Sequence, residues 1–458
     1  MTPQQYALEH EAEFLNELIA YLRIPSISTQ PSHNADVRAA GEWTAAAMEQ
    51  AGLENVRLID TPRHPLVYGD WLHAGPDAPT ILVYGHYDVQ PPEPLEEWDS
   101  APFEPVIKGD HLYARGASDD KGQLFVHIKA AQALLQTTGR LPLNVKFLIE
   151  GEEESGGESL RAFIPENKAL LSADTALISD THILGPNQPT LVYGLRGNCF
   201  ILLDLSGPAR DLHSGSYGGG VNNPINALAH VLAKLKDENG HILIPGFYDR
   251  VRPLSAEERD ILGQFPLDEE AWLAEAGAPA PWGEPEYTLP ERIGARPTLD
   301  VTGIIGGYTG PGSKTVLPAT VHAKISMRLV PDQQPDEIAQ LFMTYVQSLL
   351  PPSITARFQY YGGSVASISD RGTAAMQAAA AAYEIGFGNA PYFMREGGSI
   401  PVVAQFQQFL GLETVLMGFG LDDDRIHSPN ERYFLPNFWR GIQTSIAFME
   451  TYAQMAAG

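Results

Sequence analysis

Five segments of this chain each run into a residue type that binds metal ions. TILVYG leads into His86, with Asp88 two residues on, and LYARGAS leads into Asp119 and Asp120. NVKFLIEG leads into Glu152, Glu153 and Glu154, and TALIS into Asp180. ETVLMGFG is followed, after a short loop, by His427. Gathered in space, these groups would make a pocket of imidazoles and carboxylates with no Lys or Arg to balance it. Carboxylates crowded in that way repel by several kcal/mol, on the order of low-dielectric Coulomb energies. Divalent metal relieves the repulsion. Two His and several carboxylates without thiolates suit Zn2+ first, with Mn2+ or Co2+ as alternatives.

Each piece alone is weak. A lone His at a strand end is more often a hydrogen-bonded structural residue, and a Glu triplet is usually a solvated face or a helix start. His86-Tyr87-Asp88 is stronger, because a carboxylate can orient a ligating imidazole. The Glu triplet sits directly after an apolar strand and before Ser155-Gly156-Gly157, where a solvated face is less natural. An adjacent Glu pair can divide labour, one carboxylate on metal and its neighbour free as a base. Glu152 has no such role and is expected at the surface or behind the ligands.

The elements that must position these residues are legible as apolar strands alternating with helices. Thr80–Tyr84, Asn144–Ile149, Thr175–Ser179 and Glu413–Met417 read as strands. A first helix carries Phe14, Leu15, Leu18, Ile19 and Leu22 and stops at Pro25. Gly122–Leu135 reads as a helix with Leu124, Ile128 and Leu135 on one face, and Phe438–Met449 as another. This predicts an α/β fold with a mostly parallel central sheet flanked by helices. In such sheets the working crevice lies beyond the carboxyl ends of the strands.

The middle of the chain differs. Asn198–Leu205 is a strand, Asn223-Pro224 opens a helix facing inward with Ile225, Leu228, Leu232 and Leu235, and Thr320–Val330 alternates strictly. That alternation puts Arg328, His322 and Lys324 opposite the apolar side chains. A helix follows with Ile338, Leu341, Phe342, Tyr345, Val346 and Leu349 inward. The pattern predicts an inserted α+β domain at 197–363, interrupting an α/β domain made of 1–196 and 364–458. Within it, 245–298 is rich in Pro, Gly and Glu and reads as an elaboration. Arg328 could clamp a carboxylate in bidentate fashion. His213 lies in DLHSGSYGGG, a loop whose glycines permit close approach of backbone to a ligand. Gly397-Gly398-Ser399 reads as a loop entering a helix, which suits an anion. Trp98 and Phe103 read as packing residues, and Cys199, between apolar neighbours, as a buried strand residue.

These motifs, in order, resemble the M20 family of metallopeptidases, and within it the carnosinase-like branch of cytosolic non-specific or Cys-Gly-type dipeptidases. The matching stretches are YGHYDVQPP (84–92), YARGASDDKGQ (113–123), EGEEESGG (150–157), ISD (178–180), DLHSG (211–215), SMRLVPD (326–332), REGGSIPV (395–402) and HSPNE (427–431). The resemblance implies a zinc-exopeptidase-like catalytic domain and a ferredoxin-like inserted lid and dimerisation domain. It implies two divalent ions per subunit, with Asp119 bridging both, His86 and Asp180 completing one, and Glu154 and His427 the other. Glu153 would be the general base and Asp88 would orient His86. The Asp119–Asp120 peptide would be cis. His213 would donate to the developing oxyanion from the partner subunit of a homodimer. Arg328, Ser399 and backbone near Gly398 would hold the substrate's C-terminal carboxylate.

The expected activity is metal-dependent hydrolysis of dipeptides with a free C-terminal carboxylate. An N-acyl amino-acid deacylase or desuccinylase would use the same metals and base, with a different pocket for the acyl half. A metal-free binding protein on the same fold would be expected to have lost a ligand or the base, and all six are present. Composition excludes other classes. The 458 residues carry 30 Lys and Arg against 56 Asp and Glu, a net charge of −26, which makes a poor binder of nucleic acid or anionic membranes. One cysteine forms neither an intrachain disulfide nor a Cys-rich zinc site. The N-terminus MTPQQYALEHEAEF does not read as a signal peptide, and no apolar run of about 18 residues occurs. The cytoplasm is the simplest compartment on this reading.

Overall fold

The structure is a computed structural model that describes residues 1–456. The chain divides into two compact units. One comprises Met1–Tyr193, Ser369–Phe393 and the segment from Gln405 onward; the other comprises Gly194–Ile368 with Met394–Ala404.

The first unit is built on a mixed sheet. Its centre is four parallel strands in the spatial order Asn144–Glu150, Thr80–His86, Thr175–Ile178 and Thr414–Leu416. Antiparallel strands flank it, Leu66–Trp71 and Glu54–Ile59 on one side and Thr190–Leu195 on the other. The central strands are continuous apolar runs rather than alternating ones because both faces are covered, and Asn144–Glu150 is buried at every position. Register then does the positioning. His86 pairs with Glu150, and Tyr84 pairs with Ile178, so His86, the Glu152–Glu154 turn and Asp180 all emerge at the same carboxyl edge.

The helix Lys121–Thr138 follows the Asp119–Asp120 segment and ends on Gly139 in a left-handed conformation. It packs on the strand Thr80–His86 and against the helices Pro3–Glu9, Asn34–Ala51 and Leu435–Ala456. Burial therefore extends all round it, from Lys121 to Leu134, and not only along the stripe of Leu124, Ile128 and Leu135. Its polar residues are partnered inside. Lys121 Nζ donates to the Ile24 carbonyl at 2.8 Å, and His127 lies between the hydroxyls of Ser445 and Ser179 at 2.9 and 2.7 Å.

The second unit is a four-stranded antiparallel sheet in the order Thr298–Gly306, Thr320–Leu329, Gly197–Ser206 and Thr355–Ser364. Val321, Ala323, Ile325, Met327 and Leu329 point into a core shared with Cys199 and with the helices Pro224–Leu235 and Pro335–Leu349. The Asn223 side chain caps the first of these helices by accepting from Ile225 N at 2.9 Å. Its buried face is Pro224, Ala227, Leu228, Val231 and Leu235, so Ile225 and Leu232 sit at the margin rather than the centre. The elaborated segment holds three short helices, Ala256–Gln264, Glu269–Glu275 and Leu289–Gly294.

Close approach at one glycine ties fold to site. A Cβ on Gly122 would lie 2.0 Å from the Ala117 carbonyl oxygen and 2.9 Å from the Tyr433 ring. Gly122→Ala is expected to destabilise the protein by about 1–3 kcal/mol through overpacking. The check is urea unfolding, where the midpoint should fall at unchanged slope; an unmoved midpoint would contradict the packing described.

Candidate metal centre

The carboxyl edge of the first unit's sheet gathers residues that are far apart in the chain. Asp119 stands between two imidazoles, with Oδ1 3.0 Å from His86 Nε2 and Oδ2 2.8 Å from His427 Nε2. Potential ligand atoms of His86, Asp119 and Asp180 lie within 4.8 Å of one another, and so do those of Asp119, Glu154 and His427. Two three-residue groups thus share one carboxylate. The peptide joining Asp119 to Asp120 is cis.

The donor set can be tested against a metal on the hydrogen bonds. His86 Nε2 and Glu154 Oε1 are fully buried yet make no hydrogen bond, although His86 Nε2 is near Asp119 and Glu154 Oε1 is 3.4 Å from His427 Nε2. Buried polar atoms are rarely left in this way, and imidazole nitrogens and carboxylate oxygens aimed at a common point are what a divalent cation takes. The residues fit.

The electrostatics of the cluster are those of charges with too few opposite partners. Burial pushes Glu153 up to about 7, with Glu154 and Asp119 adding to the rise, and pushes Asp120 up to about 8. Burial also raises Asp180 and Glu154. His427 is pushed up to about 10 by the neighbouring carboxylates of Asp119, to which it is hydrogen-bonded, and Glu154. Burial opposes charge on His86, but Asp119 and Asp88 outweigh it and raise its pKa. Asp119 alone moves down: burial opposes this, and the two imidazoles overcome it.

Asp88 sits behind the cluster, fully buried. The atom nearest to His86 Nδ1 is the Asp88 backbone carbonyl, at 3.0 Å, with its carboxylate at 3.4 Å. That carboxylate accepts from the backbone N–H groups of Glu153 and Glu154 at 3.2 and 3.1 Å and from Ser28 Oγ at 2.6 Å. Asp88 therefore fixes the turn that carries both glutamates. Glu152 is buried rather than at the surface; it accepts from the backbone N–H of His64 at 2.8 Å and of Ser159 at 3.3 Å. Trp98 packs under the Arg115 guanidinium, 5.5 Å from its ring centre.

The remaining predicted residues lie in the second unit. Arg328 Nη1 donates to Ser399 Oγ at 3.1 Å, and Ser399 donates in turn to the Arg196 carbonyl. Gly397 receives a hydrogen bond from Arg196 Nε at 3.2 Å. The helix after this loop, Pro401–Gln405, continues directly into the π-helical segment Phe406–Leu410. His213 is exposed, and its Nδ1 accepts from Gly215 N at 3.1 Å, which leaves Nε2 as the protonated nitrogen.

The sequence pattern of peptidase family M20/M25/M40 matches residues 82–451. The chain belongs to this family. It is 32% identical over 462 residues to the Cys-Gly metallodipeptidase DUG1 of Saccharomyces cerevisiae, covering 96% of each protein. It is 30% identical over 469 residues to the Beta-Ala-His dipeptidase of Mus musculus, covering 98% of this chain and 94% of that protein. Its structure is similar to that of Sso-CP2, an M20 family metallo-carboxypeptidase from Sulfolobus solfataricus, with a TM-score of 0.87 and 32% identity over 96% of this chain and 99% of that one. The M20 chain described here is accordingly a hydrolase of peptide bonds.

Sequence reasoning left without a role several residues that, in this M20 peptidase, hold the clustered side chains and their loops in place. Glu431, fully buried, accepts from Arg115 Nη1 at 2.7 Å and from the backbone N–H groups of Gly116, Ser118 and Asp119 at 2.9, 3.0 and 3.2 Å. Asp120 accepts from His86 N at 3.1 Å, and Gln90 donates to Glu154 Oε2 at 2.6 Å. Both Glu431 and Arg115 lie inside stretches that the sequence singles out, HSPNE and YARGASDDKGQ, but their pairing across 316 positions is written in neither.

Two outcomes follow. Glu431→Gln leaves Arg115 buried without its counter-charge, so unfolding should cost about 3–5 kcal/mol less than in the parent. Zinc affinity, measured by competition with a chromogenic chelator, should fall about 10–100-fold; parental affinity would show that Glu431 does not hold Asp119. Separately, raised pKa values on His427 and His86 mean that metal must displace protons near pH 7. Calorimetric titration of chelator-treated protein with Zn2+ should give heats that change with the ionisation enthalpy of the buffer; buffer-independent heats would refute the proton release.

Proposed function

We propose that this protein is a dipeptidase that cleaves dipeptides bearing a free C-terminal carboxylate, with Glu153 as general base beside two divalent metal ions. The observation that carries the reading is Asp119, one carboxylate reaching both His86 and His427 while Asp180 and Glu154 complete the two groups. Zn2+ suits the donor set first, with Mn2+ or Co2+ as alternatives. Such ions, held by His86, Asp119 and Asp180 and by Asp119, Glu154 and His427, supply Lewis-acid activation of water and of the scissile carbonyl.

The protein's own groups do the rest. Glu153 is held by its backbone N–H on Asp88, and its carboxyl, raised to about 7, is suited to take a proton from the attacking water near neutral pH. It then delivers that proton to the nitrogen of the departing amine. His213, with Nε2 protonated, donates to the oxyanion, contributed by the partner of a homodimer. Arg328 clamps the substrate's carboxylate together with backbone at Gly398, and Ser399 aims the guanidinium. The named relatives support this choice of substrate: two are dipeptidases, and a carboxypeptidase such as Sso-CP2 also acts at a free carboxyl terminus.

Homodimerisation through the inserted domain is supported by the outer edge of the second sheet. Thr298–Gly306 is an edge strand, and Ile304 and Ile305 are 54% and 65% exposed on it. An open edge with large apolar residues is a template for pairing with another chain. No helix among the described residues is long and apolar enough to cross a membrane.

The test is a panel of dipeptides against N-acetyl and N-succinyl amino acids with Zn2+ or Mn2+ added. Dipeptides should be hydrolysed, chelation should abolish turnover, and added metal should restore it. Glu153→Gln should lower kcat by about 10²–10⁴-fold at parental metal content. Turnover by that variant at a near-parental rate would remove Glu153 as the base.

A further inference from the structure

The parallel strands Thr175–Ile178 and Thr414–Leu416 end in a register where Leu416 faces Ile178, and the last ladder bond runs from Met417 N to the Ile178 carbonyl at 2.8 Å. The same two stretches pair again further on, as His182–Ile183 with Gly420–Leu421, where Gly420 faces His182. Each stretch has advanced by four residues, so the register is kept and only the ladder lapses. Asp180 sits in the middle of that lapse, between Ser179 and Thr181.

Side chains take over the backbone groups that the ladder drops. Tyr383 donates to the Gly418 carbonyl at 2.6 Å and Asn437 to the Phe419 carbonyl at 2.9 Å. Gln123 accepts from the N–H groups of Phe419 and Gly420 at 2.6 and 3.1 Å. The Met417 carbonyl is reached from across the lapse by the Ser179 hydroxyl, at 2.5 Å. With its proton spent there, the Ser179 oxygen accepts from His127 Nε2 at 2.7 Å. Nε2 therefore carries the imidazole proton, and Nδ1 accepts from Ser445 Oγ at 2.9 Å. Burial pushes His127 down to about 3, so the ring stays neutral and the direction of these bonds is fixed. His127, Ser179 and Ser445 are all fully buried, and all belong to the first unit.

We propose that His127 is a positioning residue for the group of His86, Asp119 and Asp180: through Ser179 it holds the strand end across the lapse and so aims the Asp180 carboxylate. The inference rests on the two-metal reading and adds a residue that touches neither metal nor substrate. Without the imidazole the Ser179 hydroxyl loses its donor, and the segment carrying Asp180 has no ladder to fall back on. The chain leading to His427 is held at Gly418, Phe419 and Gly420 by Tyr383, Asn437 and Gln123 whether or not His127 is present. The effect should therefore fall on one metal group and spare the other.

The experiment titrates chelator-treated protein with Zn2+ in competition with a chromogenic chelator. The parent should bind two ions in two steps. His127→Met, which removes the donor at similar size, should weaken one step about tenfold and leave the other unchanged. His127→Gln, which keeps an amide N–H for Ser179, should restore most of the lost affinity. Ser179→Ala should weaken the same step, and combining it with His127→Met should weaken that step no further, because the two residues form one link. A purely structural role would lower the urea midpoint and leave both zinc steps at parental affinity. That result overturns the positioning role, and so does equal weakening of both steps. Should His127→Met fail to fold, Ser179→Ala decides alone: both steps unmoved in it overturn the proposal. A parent that binds fewer than two zinc ions overturns the two-metal reading itself.

Discussion

The arrangement depends on one electrostatic constraint: a buried cluster of carboxylates needs positive charge, and the chain withholds its own. The cations nearest in sequence to Asp119 point elsewhere. Lys121 donates to the Ile24 carbonyl and lies over the Tyr21 ring, and burial lowers it to about 7. Arg115 is committed to Glu431. A lysine turned toward the cluster would neutralise Asp119 permanently and remove the affinity for a divalent ion. The two imidazoles are the groups that answer Asp119, and they exchange protons for metal in a way that Arg cannot.

A second set of carboxylates makes this possible. Loops beyond the strand ends are buried, so their backbone N–H groups lack water and need acceptors. Glu431 supplies them for Gly116, Ser118 and Asp119, Asp88 for Glu153 and Glu154, and Glu152 for His64 and Ser159. Asp424 does the same for Leu421 N and the Ser118 hydroxyl, at 2.8 and 2.7 Å. Acidic residues thus divide into those that anchor backbone and those left facing the imidazoles. Glu431, Asp88 and Glu152 have both oxygens occupied by donors, which keeps them from competing for a cation and fixes the direction in which the facing groups point.

Much of this was legible in the sequence, for identifiable reasons. The central strands announce themselves because burial on both faces demands unbroken apolar runs, and His86, Glu154 and Asp180 follow because each lies within a few residues of the end of such a strand. The alternation of Thr320–Leu329 likewise sets Arg328 apart from the core side chains. The anchors were not legible. Glu431 lies 316 positions from Arg115, and nothing in local composition tells a backbone-anchoring Glu from a solvated one. For the same reason the sequence leaves Glu152 between the surface and a place behind the cluster, and its burial decides for the second. Periodicity also undercounts the burial of Lys121–Thr138, because Lys121, His127 and Lys129 read as polar until their partners in other elements are known. Lys129 pairs with Glu17, from a helix more than a hundred residues earlier.

The sign of charge also separates the two units. The cluster of the first is acidic, and a cavity of the second, walled by Arg196, Lys236, Arg292, Arg296 and Arg328 against Glu284 and Asp300, is cationic within a chain of net charge −26. Within the second unit that reversal is partly answered on the spot: Arg296 forks onto Glu284 and Lys236 reaches Asp300, so the acids in the wall neutralise the cations beside them. In the first unit the clustered acids have no such neighbours, because Lys121 and Arg115 are committed to other groups. The same residue types are thus balanced by direct pairing in one unit and left in excess in the other, and it is the unbalanced excess that a divalent cation can relieve.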